Sequence, residues 1–406
     1  MKVAIIGGGA AGFFMAINIK LSSPKAEITI FEKSSKVLAK VAVSGGGRCN
    51  LTNSFAQIVD IAKAYPRGGR LIKRAFNTFN HQDAYRWFES NGIPLMTQDD
   101  ECVFPRSQSS QSIIDCFLRL SAKLGITIKK SHTLVALTKA ERYTLTFREA
   151  EDQIADVVAI TTGGSPKEDE LGYLKELGHK IVAPVPSLFT FNIPSDPIRE
   201  LMGTVAQNAI VSLQGSKIKS SGAVLITHWG MSGPAILKLS SYVAKIVHEK
   251  QYCFNILINW VNEPNCDKIT NELASIVEQN RRKMLANIKP YDIPSRLWLF
   301  LLQKAEIPKE RTWDTLGKKG INKIATVLSN DEYKVHGKGR LRDEFVTCGG
   351  VSLCSIDSNT MESKHSKGLY FAGEVIDVDA ITGGFNLQAA WTTAYVAAKA
   401  ISKSIN

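Results

Sequence analysis

The two ends of this chain predict an α/β fold of the doubly wound, nucleotide-binding kind, and three observations carry that prediction. Met1–Ile6 reads as a buried β-strand that runs directly into Gly7-Gly8-Gly9-Ala10-Ala11-Gly12. Phe13–Leu21 then has helical spacing, and Ala26–Glu32 is a second strand that closes on an acid. Near the far end, Gly368–Ala372 reads as a strand and Gln388–Ile401 as an apolar, alanine-rich helix. The strand–helix pattern therefore resumes after a middle of different character.

The opening segment is a G-x-G-x-x-G turn in the context it requires, strand before and helix after, with Glu32 twenty residues past Gly12. Gly7 permits the tight turn, and Gly9 lets backbone amides approach a pyrophosphate. Gly12 lets the helix sit close to the strand, so that the helix N-terminus faces the phosphates. Glu32 is placed to accept hydrogen bonds from adenosine ribose hydroxyls, and Lys33 beside it to reach the adenosine or a phosphate. A merely structural glycine turn is the bland alternative, and the second strand with its terminal acid argues against it.

A chain of 406 residues exceeds the usual single-core size, so two or more domains are expected. Hydrophobic content of 44% with 22% charged residues is that of a soluble globular protein. No stretch approaches the ~18 uninterrupted apolar residues of a membrane helix, and the first apolar run, cut by three glycines, does not read as a signal peptide. Seven cysteines without metal-type spacing suggest free thiols in a reducing cytoplasm. The absence of C-x-x-C argues against a zinc site and against a disulfide-relay enzyme. Net charge is +12, and the excess is concentrated between Arg281 and Arg342, with Arg281, Arg282, Lys283, Lys318, Lys319 and Lys323 among its members. Two readings of that block stand side by side: a solvated basic face, or an electrostatic footprint for RNA or another polyanion.

Along the chain, residues 1–188 alternate strands with helices. Asn80 or Asp83 can start a helix over Ala84–Ser90, and Ser109 or Ser110 one over Ile113–Leu124. Thr133–Thr138 and Tyr143–Phe147 alternate as a small antiparallel excursion, and Asp156–Thr161 is an apolar strand running into Gly163-Gly164. Residues 189–262 are expected to form a β-rich insertion and residues 263–342 a basic helical portion of it. Residues 343–406 complete the nucleotide domain.

The C-terminal stretch supplies a second half-site. A strand ends at Gly373-Glu374, acids follow at Asp377 and Asp379, and Gly383-Gly384 leads into a helix. This looks like the late element of flavoproteins with two dinucleotide-binding domains. There an acid after the final strand holds the ribityl chain, and a glycine-led helix N-terminus faces the flavin pyrimidine. A reduced flavin is anionic near N1, where a helix N-terminus stabilises negative charge. The cofactor expected is therefore FAD rather than NAD. No second G-x-G-x-x-G occurs, so NADH or NADPH would visit transiently.

Together the motifs resemble the BaiN/RdsA-like family of FAD-dependent oxidoreductases, which includes aminoacetone oxidase-like flavoproteins. Matching stretches are Val3–Gly12, Ser44-Gly-Gly-Gly-Arg-Cys-Asn-Leu-Thr-Asn53, Phe104-Pro105, Thr162-Gly-Gly164, Leu177-Gly-His-Lys180 and Pro186-Ser-Leu188. They continue with Thr227-His-Trp-Gly-Met-Ser-Gly-Pro-Ala235, Gly349-Gly-Val-Ser352, Thr360–Lys364 and Gly368–Ala390. The resemblance implies a Rossmann-like FAD-binding domain with an inserted β-rich domain and a helical portion. It implies that Ala11, Glu32 and Lys33 bind the ADP half and that the backbone of Leu134 contacts adenine. Lys40, Ser44, Arg48 and Asn50 would line the diphosphate and flavin side, with Thr162 and Gly163 beside them. Gly373, Glu374, Asp379, Gly384, Asn386 and Leu387 would hold the ribityl and isoalloxazine groups. The chain departs from the family in the charged run Ser165–Gly172 and in Cys348, where alanine is usual.

A flavin performs hydride transfer itself, so the protein must position the acceptor and manage protons. Cys49 is a candidate proton donor to a carbon–carbon double bond, with a packing role as its alternative. Arg48 is a candidate to stabilise reduced-flavin charge or grip a substrate anion, with a structural ion pair as its alternative. His228 is a candidate proton carrier. It precedes Ser232-Gly-Pro234, which reads as an N-cap with proline in the first helical turn. The expected activity is NAD(P)H-driven reduction of a carbon–carbon double bond, with uridine in ribosomal RNA as one substrate. The alternatives are an amine-type small-metabolite oxidase or reductase and a non-catalytic, flavin-carrying RNA-binding factor.

Overall fold

The computed structural model describes residues 1–148, 150–165, 168–339 and 346–405. Lys167 of the charged run, and Arg340 and Arg342 of the basic block, lie outside them. The chain forms two compact units, one built from Met1–Pro186 with Val346–Asn406 and the other from Ser187–Phe345. None of the helices among the described residues is long and apolar enough to cross a membrane.

The first unit is organised by a parallel sheet. Its elements in chain order are β1 (Lys2–Ile6), α1 (Ala10–Ser22), β2 (Glu27–Phe31), α2 (Gln111–Lys123), β3 (Thr127–Lys129), β4 (Val157–Ile160), β5 (Leu369–Phe371) and α3 (Phe385–Ile405). The strands lie in the order β5-β4-β1-β2-β3, all parallel. The register aligns Ile6 with both Phe31 and Ile160, and Ile160 with Phe371. Every strand therefore ends on one edge. Because both faces of such a sheet are covered, its strands are continuous apolar runs rather than alternating ones: Val3–Ile6 and Val157–Ile160 are buried throughout. The chain enters β4 through the antiparallel ribbon Leu134–Lys139, Tyr143–Phe147 and Gln153–Ala155 instead of a helix.

Helix α1 is buried from Ala11 to Ile19, which explains why its sequence carries no polar face. Phe13 meets Phe117 of α2 at 6.1 Å, and Phe14 meets Trp391 of α3 at 5.3 Å, between ring centroids. Cap chemistry locates two further helices. Asn80 caps His81–Ser90 in a reciprocal box with Asp83, so that helix begins three residues before the expected Ala84. At α2 the Ser109 hydroxyl accepts from the Gln111 amide, although Ser110 occupies the cap position.

The second unit is an antiparallel six-stranded sheet with helices packed on it. Its order is Phe191–Asn192, Gly230–Ser232, Lys219–Thr227, Val205–Leu213, Cys253–Asn259 and Asp331–His336. The last of these strands comes from the stretch expected to be helical. The helices Cys266–Gln279, Ser295–Lys304 and Gly317–Ser329 share one core with the sheet, in which Ile256, Ile258 and Trp260 pack with Leu273, Trp298 and Ile324. Gly233, not Ser232, caps the helix Pro234–Glu249: Ser232 is held in the strand Gly230–Ser232, so the chain turns one residue later than the cap signal suggests.

A buried imidazole in the first unit makes its stability pH-dependent. His179 Nδ1 lies 3.0 Å from the Leu174 carbonyl and Nε2 2.7 Å from the Ser363 hydroxyl. That hydroxyl already accepts from the amides of His365 and Ser366, so its own proton points to Nε2 and keeps the ring neutral. Burial accordingly lowers the His179 pKa below the ordinary imidazole value. The stability this gives is whole above the unfolded-state pKa of about 6.5 and drains as pH falls toward the lowered folded value. Denaturant unfolding between pH 7 and pH 5 should show a slope approaching ~1.4 kcal/mol per pH unit that His179→Gln removes. Equal slopes in the two proteins would refute the assignment.

Candidate functional site

The carboxyl edge of the parallel sheet is where the expected site residues gather. Gly7 follows β1, Glu32 follows β2, Thr161 and Thr162 follow β4, and Gly373 follows β5 after Ala372. This is the edge on which doubly wound sheets hold ligands, at the strand where the order reverses. Gly7 has φ +114 and donates to the Phe31 carbonyl at 2.7 Å. A Cβ there would overlap the Thr161 backbone, and one on Gly12 would overlap the Gly7 carbonyl. Gly9 differs from both, because a Cβ on it would meet nothing within 4 Å. The spacing of the motif thus has two causes: Gly7 and Gly12 are required by the protein's own packing, whereas the space beside Gly9 is open.

Gly9 caps α1 in an extended conformation with no side-chain cap bond, and the first turn carries no acid. The amides of Ala10, Ala11 and Gly12 have no acceptor among the described residues. Such a turn presents donors and the positive end of a helix dipole to an anion. Beside it the Glu32 carboxylate accepts from the Gly8 amide at 2.8 Å and from the Ser34 amide and hydroxyl at 2.9 and 2.8 Å. A carboxylate has about four lone-pair sites, so capacity remains for a ribose hydroxyl. Lys33 is exposed and pairs with Glu170 at 3.4 Å. The charged run that departs from the family thus supplies this lysine's partner. Leu134 opens its strand opposite Phe147, and its neighbour Thr133 accepts from the Arg148 amide.

The loop after Ala39 bends sharply. Ser44 is extended, and Gly45 and Gly46 have φ of +57 and +69, which breaks the helix Ala39–Gly47. Ser44 accepts from the Cys49 amide at 2.9 Å, while its hydroxyl donates to the Val41 carbonyl at 2.8 Å. Arg48 lies over the Phe104 ring at 4.2 Å and donates to Gln108 and to the Gly45 carbonyl. No carboxylate pairs with it among the described residues. Cys49 has no exposed surface, and burial pushes its thiol up to about 12 against a smaller, opposing hydrogen bond from Ser44. It is therefore a protonated thiol, not a thiolate.

The C-terminal half-site is joined to this loop by buried polar contacts. With its amide oriented to satisfy both neighbours, Asn50 accepts from the Gly384 amide and donates to the Thr52 carbonyl. Asn53 donates to the Gly383 carbonyl at 3.1 Å, Thr52 to Gln388 at 2.6 Å, and Trp391 to the Leu51 carbonyl at 2.9 Å. Gly384 has φ +87, and a Cβ on it would overlap the Thr52 backbone. Gly373 packs on Ala11 and donates to the Thr393 hydroxyl at 3.0 Å. Glu374 bonds Lys40 at 2.9 Å and the Thr347 amide at 2.7 Å, and a Cβ on Gly163 would lie 3.9 Å from it. Thr162 is exposed at the same strand end. Asn386 exchanges hydrogen bonds with the backbone of Ala380, and Leu387 is half-buried beside it.

Asp379 has a partner that sequence reasoning missed. It is fully buried in a two-point ion pair with Arg67, and the two residues also form a backbone bridge. Arg67 stands in Pro66-Arg67-Gly68-Gly69, whose composition reads only as a turn. Tyr65, which donates to the Phe385 carbonyl at 3.0 Å, was equally silent. His228 belongs to the second unit, exposed at the tip between Lys219–Thr227 and Gly230–Ser232, with its ring edge-on to Trp229 at 4.5 Å.

These residues fit FAD. The unaccepted amides of the α1 turn, the open space at Gly9 and the spare capacity of Glu32 suit an adenosine diphosphate. The glycine-led start of α3 suits the flavin end. Gly9→Ala should therefore leave the thermal midpoint of FAD-free protein unchanged while weakening FAD binding on the order of tenfold, or about 1.4 kcal/mol. Gly12→Ala should cost ~1–3 kcal/mol of stability with or without FAD, through overpacking. Titration calorimetry and thermal melts separate the two, and full FAD affinity in Gly9→Ala would refute the cradle.

Comparison with known proteins agrees with this geometry. The profile of the HI0933-like protein Rossmann domain matches residues 1–400. The 3-dehydro-bile acid delta(4,6)-reductase of Clostridium scindens is 23% identical, over 99% of this chain and 99% of that protein. The ribosomal RNA dihydrouridine synthase of Haemophilus influenzae is 26% identical, over 98% of each. Among solved structures, the 3-ketosteroid delta1-dehydrogenase of Sterolibacterium denitrificans shares the fold at a TM-score of 0.50, with 12% identity over 99% of each chain. Strand-edge cradle, glycine-led helices and whole-length match converge: the chain belongs to the HI0933-like Rossmann family and is an FAD-dependent oxidoreductase.

Proposed function

We propose that this enzyme uses NADH or NADPH to reduce a carbon–carbon double bond, and that its substrate is a uridine in ribosomal RNA. One observation carries the reading: relatives matching over their whole length are named for a bile-acid reductase and a dihydrouridine synthase, two names for hydrogen addition to a double bond. The bile-acid name supports a small-molecule substrate as the second reading. RNA is preferred because the net charge of +12 is concentrated in one block.

Bound FAD supplies the hydride chemistry. The residues proposed to hold it are Gly7, Gly9, Ala11, Gly12, Glu32, Lys33 and Leu134 at the ADP half. Lys40, Ser44, Arg48, Asn50, Thr162 and Gly163 are proposed for the middle. Gly373, Glu374, Asp379, Gly384, Asn386 and Leu387 are proposed for the flavin end. Arg48, kept in place by Phe104 and Gln108, offers an unneutralised positive charge to a substrate anion or a developing enolate. Reduction of an enone-type bond also needs one proton. Cys49 holds one at all physiological pH, and His228, the second candidate, is an exposed imidazole. No second dinucleotide motif competes for the nicotinamide, which fits a visiting reductant. A cytoplasmic location accords with thiol-state cysteines and an RNA substrate.

Deletion of the gene should remove a dihydrouridine from ribosomal RNA, read by nucleoside mass spectrometry; an unchanged inventory rejects the RNA substrate. Anaerobic NADH or NADPH should bleach the flavin's visible absorbance, and failure with both would reject the nicotinamide-driven reductase. Cys49→Ala should bleach normally yet turn over at least ~100-fold more slowly if the thiol is the general acid. Full turnover assigns Cys49 to packing and leaves His228 as the proton carrier.

A further inference from the structure

The second unit carries a basic surface whose construction goes beyond composition. Residues 281–286 and 309–314 run antiparallel as a short arm. Leu285 donates to the Arg311 carbonyl at 2.8 Å, Ala286 to Lys309 at 3.0 Å, Trp313 to Lys283 at 3.1 Å and Asp314 to Arg281 at 3.0 Å. The underside of the arm is anchored. Leu285 and Trp313 are fully buried, Trp298 donates to the Leu285 carbonyl at 2.7 Å, and the Trp298 and Trp313 rings lie parallel, 6.2 Å apart. With the backbone pinned and the apolar side chains turned inward, Arg281, Arg282, Lys283, Lys309 and Arg311 are left exposed on the outside.

These cations differ from others nearby. Lys304 pairs with Asp331, Lys323 with Glu306 and Lys268 with Glu263. Among the described residues no carboxylate lies within ion-pair distance of the five arm cations, or of the exposed Lys318 and Lys319. The arm passes through the turn Trp313–Thr315 straight into the helix Gly317–Ser329. There Lys318 and Lys319 join Lys304 and Lys323 around an open cleft of about 740 Å³. A solvated helix face would carry compensating acids at neighbouring positions. The arm's own acids are few: Asp314 accepts from the Thr312 hydroxyl, and Glu310 stands alone between Lys309 and Arg311.

We propose that this arm and the adjoining cleft form a phosphate-contact surface that grips the sugar–phosphate backbone of a folded RNA. The proposal rests on the RNA reading above and deepens it by naming the surface. Two features favour RNA over a protein partner. Protein interfaces are centred on apolar residues, yet Met284, 48% exposed, is the sole large exposed hydrophobic of the arm. Interfaces with nucleic acid are polar, wet and strongly positive, and phosphate contacts set affinity without reading sequence.

The test uses the full-length, FAD-loaded enzyme and protein-free ribosomal RNA, with binding measured by fluorescence anisotropy across a salt series. The wild type should bind with an affinity that falls steeply with salt. A triple variant, Arg281→Glu, Arg282→Glu and Lys283→Glu, should bind at least ~10-fold more weakly, with a log–log salt slope shallower by about 2 to 3. Lys318→Gln with Lys319→Gln, a milder pair, should reduce the slope by about 1 to 2. Both proteins should keep their flavin and its bleaching by nicotinamide, which shows them folded. Unchanged affinity and slope in both variants would overturn the surface, as would wild-type binding to anionic vesicles or an acidic protein but not to RNA. If the wild type forms no dihydrouridine yet loses salt-dependent RNA binding in the variants, the surface stands and the catalytic reading falls. If the wild type is active on RNA and the variants bind as it does, the surface alone falls.

Discussion

The candidate site depends on the way the first turn of α3 is seated on residues 50–53. Gly384 approaches the Thr52 backbone so closely that any side chain is excluded, and side chains then bond across the seam: Asn50 accepts from Gly384, and Asn53 donates to Gly383, Thr52 to Gln388, Trp391 to Leu51 and Tyr65 to Phe385. Thr52 and Gln388 are buried, so each is costly without its partner and neutral or better with it. The seam joins a loop near the start of the chain to its last helix. Beneath it, Gly373 against Ala11 brings β5 and α1 together in the same way. Those two close approaches allow two helix N-termini to open on one sheet edge.

Charge in the first unit is arranged differently from charge in the second. Around the cradle three cations have carboxylate partners, Lys33 with Glu170, Lys40 with Glu374 and Arg67 with Asp379, while Arg48 rests on the Phe104 ring and Gln108. The two lysine pairs are exposed on the lysine side and hold little energy, so a phosphate can compete for either lysine. The Arg67–Asp379 pair is another matter. It is buried, and removing one partner would strand a charge at a cost of ~3–5 kcal/mol. Arg67 thereby anchors Asp379 in the segment that leads into α3. In the second unit, by contrast, the outward cations of the arm are uncompensated, which suits a partner that brings its own negative charge.

Much of the first unit was legible because its signals are local. A G-x-G-x-x-G between two strands, an acid at the end of the second and a double glycine before a late helix are each read within a few residues. The predicted strand Tyr143–Phe147 matches the one found, for its alternation is strict. The misses share a cause. Ser232 offered a good cap, but its strand pairing with Leu225 delayed the helix to Gly233. The strand Asp331–His336 was lost among basic helices because its apolar positions are few, and pairing with Cys253–Asn259 makes it a strand. Arg67 carried no motif at all.

By itself the sequence determined the kind of protein this is: a nucleotide-binding α/β chain whose two ends make one flavin domain, with an excess of positive charge between them. Backbone requirements of the glycine turns and the periodicity of apolar residues are short-range physics, and they survive in one dimension. Tertiary structure decided which side chains complete the cradle and which cations are left without partners. Both depend on distances between residues hundreds of positions apart, such as Arg67 and Asp379 or Thr52 and Gln388. Only packing sets those distances: a buried carboxylate or amide must find a partner wherever the folded chain brings one.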